Sequence, residues 1–149
     1  MILLNGGAAN RPDAALLAPV PSAVFELVAA SAVRLDGSAR RPLADFRAAP
    51  VHAIAGIGNP GRFFALLERH GLAVTAHPLP DHAAPDPEVI AVCTDGEVLM
   101  TEKDAVKLQP SAAPGAWYVP VDLEMEEAGR RRLVDTVVAL CRRGRENEK

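Results

Sequence analysis

Two glycines and an asparagine follow the apolar segment 51–55, in the string Gly56-Ile-Gly58-Asn59-Pro60. Small residues after a buried strand let the backbone approach a ligand closely, and the free N–H groups at the start of the next helix attract anions. This string, the Gly56 turn, is one glycine short of the dinucleotide-binding fingerprint. The alternative interpretation is a tight strand-to-helix turn in which the glycines serve only positive φ angles.

A second candidate is the adjacent pair Asp81-His82, in a proline-broken loop. Imidazole changes its charge near neutral pH, and a carboxylate can orient it, so His82 could act as a general acid or base. Neighbouring residues rarely bond each other's side chains well, so we expect the useful carboxylate to come from elsewhere. A solvated polar loop is the alternative. His52, His70 and His77 are weaker candidates, because they are predicted inside a strand, at a helix end and at a strand end.

The third candidate, the Thr101 motif, reads Thr101-Glu-Lys103-Asp104-Ala-Val-Lys107 and follows the apolar segment 97–100. Lys103 or Lys107 could neutralise phosphate oxygens, and Thr101 with Asp104 approximates a helix capping box. The alternative is a capped surface helix with solvated charges. Position at the carboxyl end of a strand favours the functional interpretation, because open α/β sheets bind ligands there.

Predicted strands and helices alternate from residue 51 onward. Strands are predicted at 51–55, 72–77, 97–100 and 117–121, and helices at 60–71, 88–93, 101–107 and 124–142. Asp36-Gly37-Ser38, between segments 24–35 and 40–46, is typical of a hairpin turn. We therefore predict an α/β fold, a Rossmann-like, three-layer, mostly parallel sheet with an N-terminal β-hairpin arm.

Composition disfavours several function classes. Sixteen Lys and Arg against nineteen Asp and Glu give a net charge of -3, which argues against a nucleic-acid partner. The two cysteines, Cys93 and Cys141, have neither the number nor the spacing of a disulfide framework or a zinc site, so no metal is predicted. The N-terminus lacks a signal-peptide pattern, and prolines interrupt the apolar segment 14–33, so we expect a cytoplasmic protein without a membrane span.

In this order and spacing, the three motifs resemble the C-terminal half of the tetraacyldisaccharide 4'-kinase (lipid A 4'-kinase) family. The match spans nearly the whole chain from Ile2 and is densest over 51–107. The resemblance implies a two-lobed phosphotransferase, with a phosphate-loop (P-loop) kinase lobe first and this lobe second. The resemblance also implies that the enzyme phosphorylates the 4'-hydroxyl of a lipid A disaccharide precursor, and that ATP and Mg²⁺ bind mainly to the first lobe.

The resemblance also implies roles for particular residues. In the family, the histidine of the Asp-His motif pairs with an aspartate base in the first lobe, and the matching position is His82, with Asp81 beside it. Six further residues are expected near the nucleotide or substrate, namely Gly56, Gly58, Asn59, Thr101, Lys103 and Asp104. The first three are assigned to ligand approach, and the last three to closure of the second lobe.

No Gly-x-x-x-x-Gly-Lys-[Ser/Thr] motif occurs among the 149 residues. We therefore expect no tight ATP binding and no turnover by this chain alone, and the implied partners are the P-loop lobe and the lipid A precursor. Residues 1–50 are predicted to form an inter-lobe segment with the hairpin arm, residues 51–143 the α/β lobe, and residues 144–149 a disordered tail. We expect the chain to be a truncated or separately expressed fragment of the kinase. Arginines at 130–132 and 142–145 could contact anionic phospholipid of the inner membrane peripherally, and the favoured alternative is that they are helix-surface and helix C-terminal charges.

The chain departs from the family pattern at several loop positions. Leu79 stands where an aromatic is usual, Ala83 replaces a second histidine, and Gly61 replaces a common glutamate. These changes affect the expected geometry of the substrate loop. The competing interpretation is a non-catalytic α/β binding or regulatory module derived from the kinase. A nucleotide-using Rossmann enzyme ranks last, because no acidic ribose-binding residue follows the second strand.

Overall fold

The computed structural model describes residues 2–5, 22–81 and 83–146. The chain divides into two compact units, one formed by residues 1–28 with 122–149 and the other by residues 29–121. These boundaries differ from the predicted limits at 50 and 143, and the division of the chain into an inter-lobe segment, a lobe and a tail stays a prediction. His82, the predicted catalytic histidine, lies outside the described residues.

Strands and helices alternate through most of the larger unit. In chain order the described strands are β1 (Ile2–Asn5), β2 (Ser22–Val28), β3 (Ser31–Arg34), β4 (Arg40–Pro42), β5 (Val51–Ala55), β6 (Val74–Pro78), β7 (Glu97–Thr101), β8 (Trp117–Val119) and β9 (Asp122–Met125). The α-helices are α1 (Pro60–Arg69), α2 (Pro87–Ala91), α3 (Glu102–Ala105) and α4 (Glu127–Glu146), with 3₁₀ helices at Leu43–Ala48 and Pro110–Ala112.

The larger unit is built on a six-stranded sheet with the order β4-β3-β8-β7-β5-β6. The four strands from β8 to β6 run parallel, whereas β3 runs antiparallel to both β8 and β4. This arrangement confirms the predicted α/β class with a mostly parallel sheet. The predicted hairpin is also present, as β3 and β4 joined by a turn with Gly37 at φ 74°. It extends the edge of the main sheet, where β3 pairs with β8.

Both faces of the sheet are covered, which gives three layers. On one face, β5 packs through Val51, Ala53 and Ala55 against α1 and the 3₁₀ helix at Leu43–Ala48. On the other face, Ile54 packs with residues of α2 and α3. A strand buried on both faces must be almost wholly apolar, which explains why this segment was recognisable in the sequence.

Helix α1 begins where it was predicted and ends at Arg69, two residues before the predicted limit at 71. It begins at Pro60, where the missing N–H costs nothing, and it ends before Gly71, whose φ of 81° suits a left-handed cap. Its buried residues Phe63, Leu66 and Leu67 face the sheet. Asn59 is the N-cap residue, but its side chain accepts no capping hydrogen bond.

Several predicted elements differ from the observed ones. Segment 24–35 divides into β2 and β3, which belong to different sheets, and segment 43–48 is a 3₁₀ helix because Pro42 ends the strand before it. The third predicted helix is shorter than expected and stops at Ala105. Strand β9 was not predicted, because its sequence Asp-Leu-Glu-Met contains only two apolar residues.

The smaller unit contains a three-stranded sheet with the order β1-β2-β9, and α4 packs against β2. A Cβ atom added to Gly129 would lie 3.2 Å from Met125 Cγ and 3.4 Å from Ala23 Cβ, so this glycine lets α4 approach the sheet closely. Strand β1 lies near the N-terminus, and its residues Ile2 and Leu3 are 37% and 45% exposed. Across the described part of the chain, no helix is long and apolar enough to cross a bilayer.

Candidate functional site

The Gly56 turn and the Thr101 motif meet at one fully buried carboxylate, that of Asp104. Asp104 Oδ2 accepts hydrogen bonds from Gly56 N at 2.8 Å and from Thr101 Oγ1 at 2.6 Å. Asp104 Oδ1 accepts a hydrogen bond from Lys107 Nζ at 2.8 Å. Strands β5 and β7 are parallel neighbours, so the residues that follow them lie at the same sheet edge. Gly56, Thr101, Asp104 and Lys107 are called the Asp104 network below.

Thr101 caps helix α3 as predicted. Its Oγ1 accepts a hydrogen bond from the backbone N–H of Asp104 at 3.2 Å. In a full capping box, the side chain at position 104 would also accept a hydrogen bond from the N–H of Thr101. Here the Asp104 carboxylate accepts a hydrogen bond from the Thr101 hydroxyl instead. The interpretation of Asp104 as a solvated charge on a surface helix is therefore wrong.

The network holds Asp104 in its ionised form. Burial by itself would raise the pKa of Asp104, but hydrogen bonds from Lys107, Thr101 and Gly56, with the positive charge of Lys107, lower that pKa below its ordinary value. Both carboxylate oxygens are occupied by donors within the chain. Asp104 is therefore an anchor for the two motifs, and its oxygens are not free to act as a base or to ligate Mg²⁺.

The loop that carries the Asp-His pair is attached to the same network. Lys107 Nζ donates a second hydrogen bond to the carbonyl oxygen of Ala83 at 2.7 Å, and the N–H of Leu79 donates to the carbonyl of Ala55 at 2.9 Å. Asp81 Oδ1 lies 3.7 Å from Lys103 Nζ, and both side chains are about half exposed. The structure thus brings Asp81 and Lys103 together, as a solvent-accessible ion pair beside the buried anchor.

The two glycines of the turn serve different purposes. A Cβ atom added to Gly56 would lie 3.0 Å from both Ala83 O and Asp104 Oδ1, so Gly56 allows the turn, the loop and the carboxylate to pack together. At Gly58 the nearest atom to an added Cβ would be Asp81 Oδ2, at 3.9 Å. Neither glycine has a positive φ, so the interpretation of both as positive-φ turn residues is wrong. Gly58 and Asn59 are exposed at the start of α1.

Two of the weaker histidine candidates meet elsewhere in the same unit. His52 Nδ1 lies 2.9 Å from His77 Nε2, and His52 Nε2 lies 2.8 Å from Asp95 Oδ1. Burial, followed by the nearby His52, lowers the pKa of His77, while burial and then Asp95 raise the pKa of the Cys93 thiol. His70 takes no part, since it follows α1 and its carbonyl accepts a hydrogen bond from Arg47 Nε at 2.6 Å. Residues this far apart in sequence could be grouped only once the strand register was known.

Comparison with known proteins identifies the family. The family model described as tetraacyldisaccharide-1-P 4'-kinase matches residues 1–139. The tetraacyldisaccharide 4'-kinase of Alcanivorax borkumensis is 54% identical over 86 residues, which cover 57% of this chain and 26% of that protein. That of Pseudomonas aeruginosa strain LESB58 is 41% identical over 121 residues, which cover 80% of this chain and 34% of that protein.

The fold has a counterpart among solved structures. The crystal structure of LpxK from Aquifex aeolicus in complex with ATP superposes with a TM-score of 0.54 at 20% identity, covering 80% of this chain and 36% of that one. This chain spans 26% to 34% of the length of the two curated relatives described above. The chain belongs to the tetraacyldisaccharide 4'-kinase family, as its three motifs indicated.

Proposed function

We propose that this chain supplies the second lobe of a lipid A 4'-kinase. In this function the lobe closes over a P-loop lobe, and the γ-phosphoryl group of ATP is transferred to the 4'-hydroxyl of the lipid A disaccharide precursor. The observation that carries the proposal is the convergence of the Gly56 turn, the Asp81 loop and the Thr101 motif at one edge of the sheet. Phosphoryl transfer depends on positioning and charge neutralisation, which such a convergence of polar groups can provide.

His82 is the proposed catalytic contribution of this lobe, pairing with an aspartate base of the first lobe. Support comes from its sequence neighbours, since Asp81 lies beside Lys103 and the carbonyl of Ala83 is bound by Lys107. These contacts restrict the backbone at Asp81 and Ala83, the two neighbours of His82 in the sequence. Asp81 is proposed to act beside it, by orienting the loop toward the first lobe.

We propose two roles for the remaining site residues, which are to approach the bound ligand and to take part in closure of the two lobes. Gly58 and Asn59 present exposed backbone at the start of α1, a ten-residue helix whose first N–H groups favour anions. Lys103 is the cation of the Thr101 motif whose ammonium group is about half exposed, so it can meet phosphate oxygens when the lobes close. Gly56 and Thr101 both donate hydrogen bonds to the buried Asp104 carboxylate, and these bonds stabilise the positions of the two motifs that form this surface.

ATP and Mg²⁺ are proposed to bind mainly to the first lobe. The 149 residues contain no P-loop motif, and the buried Asp104 carboxylate already accepts three hydrogen bonds from within the chain. A magnesium site needs carboxylate oxygens that are free to meet the ion. We therefore propose that the chain by itself neither binds ATP tightly nor transfers phosphate.

Complementation of a P-loop lobe tests the proposal. A chimera is made in which the part of the Alcanivorax borkumensis kinase that matches this chain is replaced by the matching residues of this chain. Transfer of labelled phosphate from ATP to the lipid A precursor is then measured. We expect transfer by the chimera, and none by the 149-residue chain alone. The His82→Ala chimera should lose most of its turnover, whereas a His70→Ala chimera, changed at a histidine remote from the site, should keep it.

Three results would contradict the proposal. A folded chimera without transfer would argue against a kinase lobe, and full turnover by the His82→Ala chimera would remove the catalytic role of that residue. Magnesium-dependent ATP hydrolysis by the purified chain would show that it needs no P-loop lobe. Circular dichroism of each variant separates lost function from lost folding.

A non-catalytic binding or regulatory module is the second candidate. The observation that favours it is Ala83, which replaces a second histidine and contributes only its backbone carbonyl to the network. Under this alternative the chimera would fold, bind the lipid precursor and transfer no phosphate. An intact second kinase gene in the same genome would also favour this alternative.

Peripheral contact with the cytoplasmic face of the inner membrane is proposed for the arginine-rich helix α4. Arg130 and Arg131 are exposed, and both pair with Glu127, which leaves little net positive charge on that turn. We therefore expect weak binding to vesicles that contain anionic phospholipid, abolished at high salt. Cosedimentation that is equal with neutral and anionic vesicles would contradict the electrostatic contact.

A further inference from the structure

A cluster of metal-ligating side chains lies on the sheet face that carries α2. His52 is in β5 and His77 is in β6, where the register pairs His52 with Thr75 and Ile54 with His77. Side chains two residues apart in a strand share a face, so both imidazoles lie on the same side of the sheet as Ile54. Cys93 and Asp95 reach them from the loop between α2 and β7. These four residues are called the histidine cluster.

The loop is held tightly over the two imidazoles. A Cβ atom added to Gly96 would lie 2.4 Å from the carbonyl oxygen of Pro50 and 3.3 Å from His52 Cδ2, so only glycine permits this approach. The N–H of Glu97 also donates to the same Pro50 carbonyl at 2.9 Å. Contacts with Pro50 therefore hold Gly96 and Glu97, at the end of the loop, against the start of β5.

The donor atoms lie close to, but not at, the separation that a tetrahedral ion requires. One ring nitrogen of each histidine and the Cys93 sulfur all lie within 4.8 Å of one another, and His52 Nδ1 lies 2.9 Å from His77 Nε2. With zinc–nitrogen bonds of about 2.0–2.1 Å and zinc–sulfur bonds of about 2.3 Å, donor atoms around zinc lie roughly 3.3–3.8 Å apart. The two imidazole nitrogens, now 2.9 Å apart, need to separate by only about 0.4 Å to reach this geometry.

Asp95 completes the arrangement as an outer partner. Its Oδ1 lies 2.8 Å from His52 Nε2, so it can accept the N–H of that nitrogen and leave the lone pair of Nδ1 directed toward His77. Histidines that ligate metals usually donate their second N–H to a carboxylate in this way. The pairing fixes the tautomer that metal binding needs.

We propose that His52 Nδ1, His77 Nε2 and Cys93 Sγ bind one zinc ion, with Asp95 as a positioning residue that acts through His52. Two imidazoles and one thiolate suit zinc, whereas Mg²⁺ and Ca²⁺ prefer oxygen ligands. Binding converts the Cys93 thiol, which now donates to the Val89 carbonyl at 3.3 Å, into a thiolate and releases its proton to water. The proton on His77 Nε2 moves to solvent while Nδ1 takes one up. A water molecule fills the fourth position.

The ion would join three segments that are distant in the sequence, namely β5, β6 and the loop that leads into β7. His77 is followed within a few residues by the loop that carries Asp81. The proposed zinc site would thus hold the base of that loop. The prediction that the chain binds no metal rested on cysteine number and spacing, which do not reveal ligands contributed by separate strands.

Zinc titration of the metal-free 149-residue chain tests the site. A competing chromophoric chelator reports affinity, and we expect one zinc per chain with release of protons. Cys93→Ser and His77→Asn should each weaken zinc binding by more than about 100-fold, because lost outer partners alone cost about 10–100-fold. Asp95→Asn should weaken it by about tenfold. Cys141→Ser and His70→Asn are matched controls and should bind as the parent chain does.

Cobalt substitution identifies the ligands directly. Cobalt bound at the site should show a thiolate-to-cobalt absorption band, which Cys93→Ser abolishes and Asp95→Asn retains at reduced affinity. Failure to bind one zinc per chain, or equal binding by parent, Cys93→Ser and His77→Asn chains, would overturn the proposal. Circular dichroism of the metal-free variants confirms that each compared chain is folded.

Discussion

The Asp104 network and the histidine cluster are both polar groupings within the larger unit, but they differ in how fully their polar atoms are used. Asp104 is fully buried, and both of its oxygens accept hydrogen bonds from donors of its own chain. In the histidine cluster, His52 is 9% exposed, and its partner Asp95 has a side chain that is 77% exposed. The cluster also contains a thiol beside two imidazoles whose protonation can change.

The comparison distinguishes an anchor from a ligand site. A buried charge is tolerated when its oxygens are hydrogen-bonded, and a carboxylate that is fully buried among its own donors is not accessible to a substrate or a metal. Imidazole and thiol groups that face one another can exchange their protons for a cation. A buried carboxylate is thus not by itself evidence of catalysis, and the surroundings of its oxygens decide its role.

Replacing the anchor should have the largest effect on stability. Asp104→Ala leaves Gly56 N–H and the Lys107 ammonium without their buried acceptor, and removing one member of a buried ion pair costs about 3–5 kcal/mol. The free energy of unfolding, measured with urea, should fall by that amount. Asp45→Asn, at an exposed carboxylate, should change it little. An equal effect of the two substitutions would remove the distinction.

The same carboxylate should make folding sensitive to acid. The pKa of Asp104 is lower in the folded chain than in the unfolded chain, so the unfolded chain takes up the proton first as the pH falls. The stabilisation is complete above about pH 4 and is lost as the pH falls through the lowered value. Unfolding free energies measured from pH 7 to pH 2 should decline less steeply for Asp104→Asn than for the parent chain. Parallel curves would contradict the assignment.

Substituting the two glycines of the turn one at a time should distinguish a role in packing from a role in ligand approach. Gly56→Ala places a methyl group 3.0 Å from Ala83 O and Asp104 Oδ1, and such overpacking costs about 1–3 kcal/mol. Gly58→Ala, with no atom closer than 3.9 Å, should leave the free energy of unfolding nearly unchanged. In the chimeric kinase, Gly58→Ala should still reduce phosphate transfer, because its backbone faces the proposed ligand. Unchanged transfer would limit the role of Gly58 to that of a turn residue.

The smallest effect is expected in the histidine cluster when no metal is present. His77 is partly exposed, and its imidazole makes a hydrogen bond to that of His52, so His77→Asn should cost about 1 kcal/mol or less in the metal-free chain. Added zinc should raise the melting temperature of the parent chain and not that of His77→Asn. A large loss of stability in metal-free His77→Asn would make the cluster a structural anchor like Asp104.

Local patterns predicted the elements that depend on local chemistry. Helix α1 was bounded correctly by Pro60 and Gly71, and the hairpin at Gly37 followed from its turn residues. Strand β8 ends at Val119, before Pro120, but it lies inside the sheet between β3 and β7. The predicted strand 117–121 therefore ends two residues early, because Pro120 cannot donate to the strand ladder, and its neighbours depend on pairing that no local pattern encodes.

The candidate site shows the same division. The residues that define the Asp104 network were all named from the sequence, but their arrangement reverses part of their interpretation, since Asp104 is buried and Gly56 is required by packing. The roles proposed for His82 and Asp81 stay predictions. His52, His77 and Cys93 were not recognised as a group, because 25 residues separate the two histidines and only the register of β5 with β6 brings them together.

The sequence by itself determined the family, the alternation of strands and helices, and the three motifs at strand ends, because each is written in residues close to one another along the chain. Tertiary structure alone decided which polar groups are saturated and which remain able to bind. That outcome depends on contacts between distant segments, such as Gly56 with Asp104 and His52 with Asp95. Burial and the number of hydrogen-bond donors around an atom are properties of the folded chain, and they fix its chemistry.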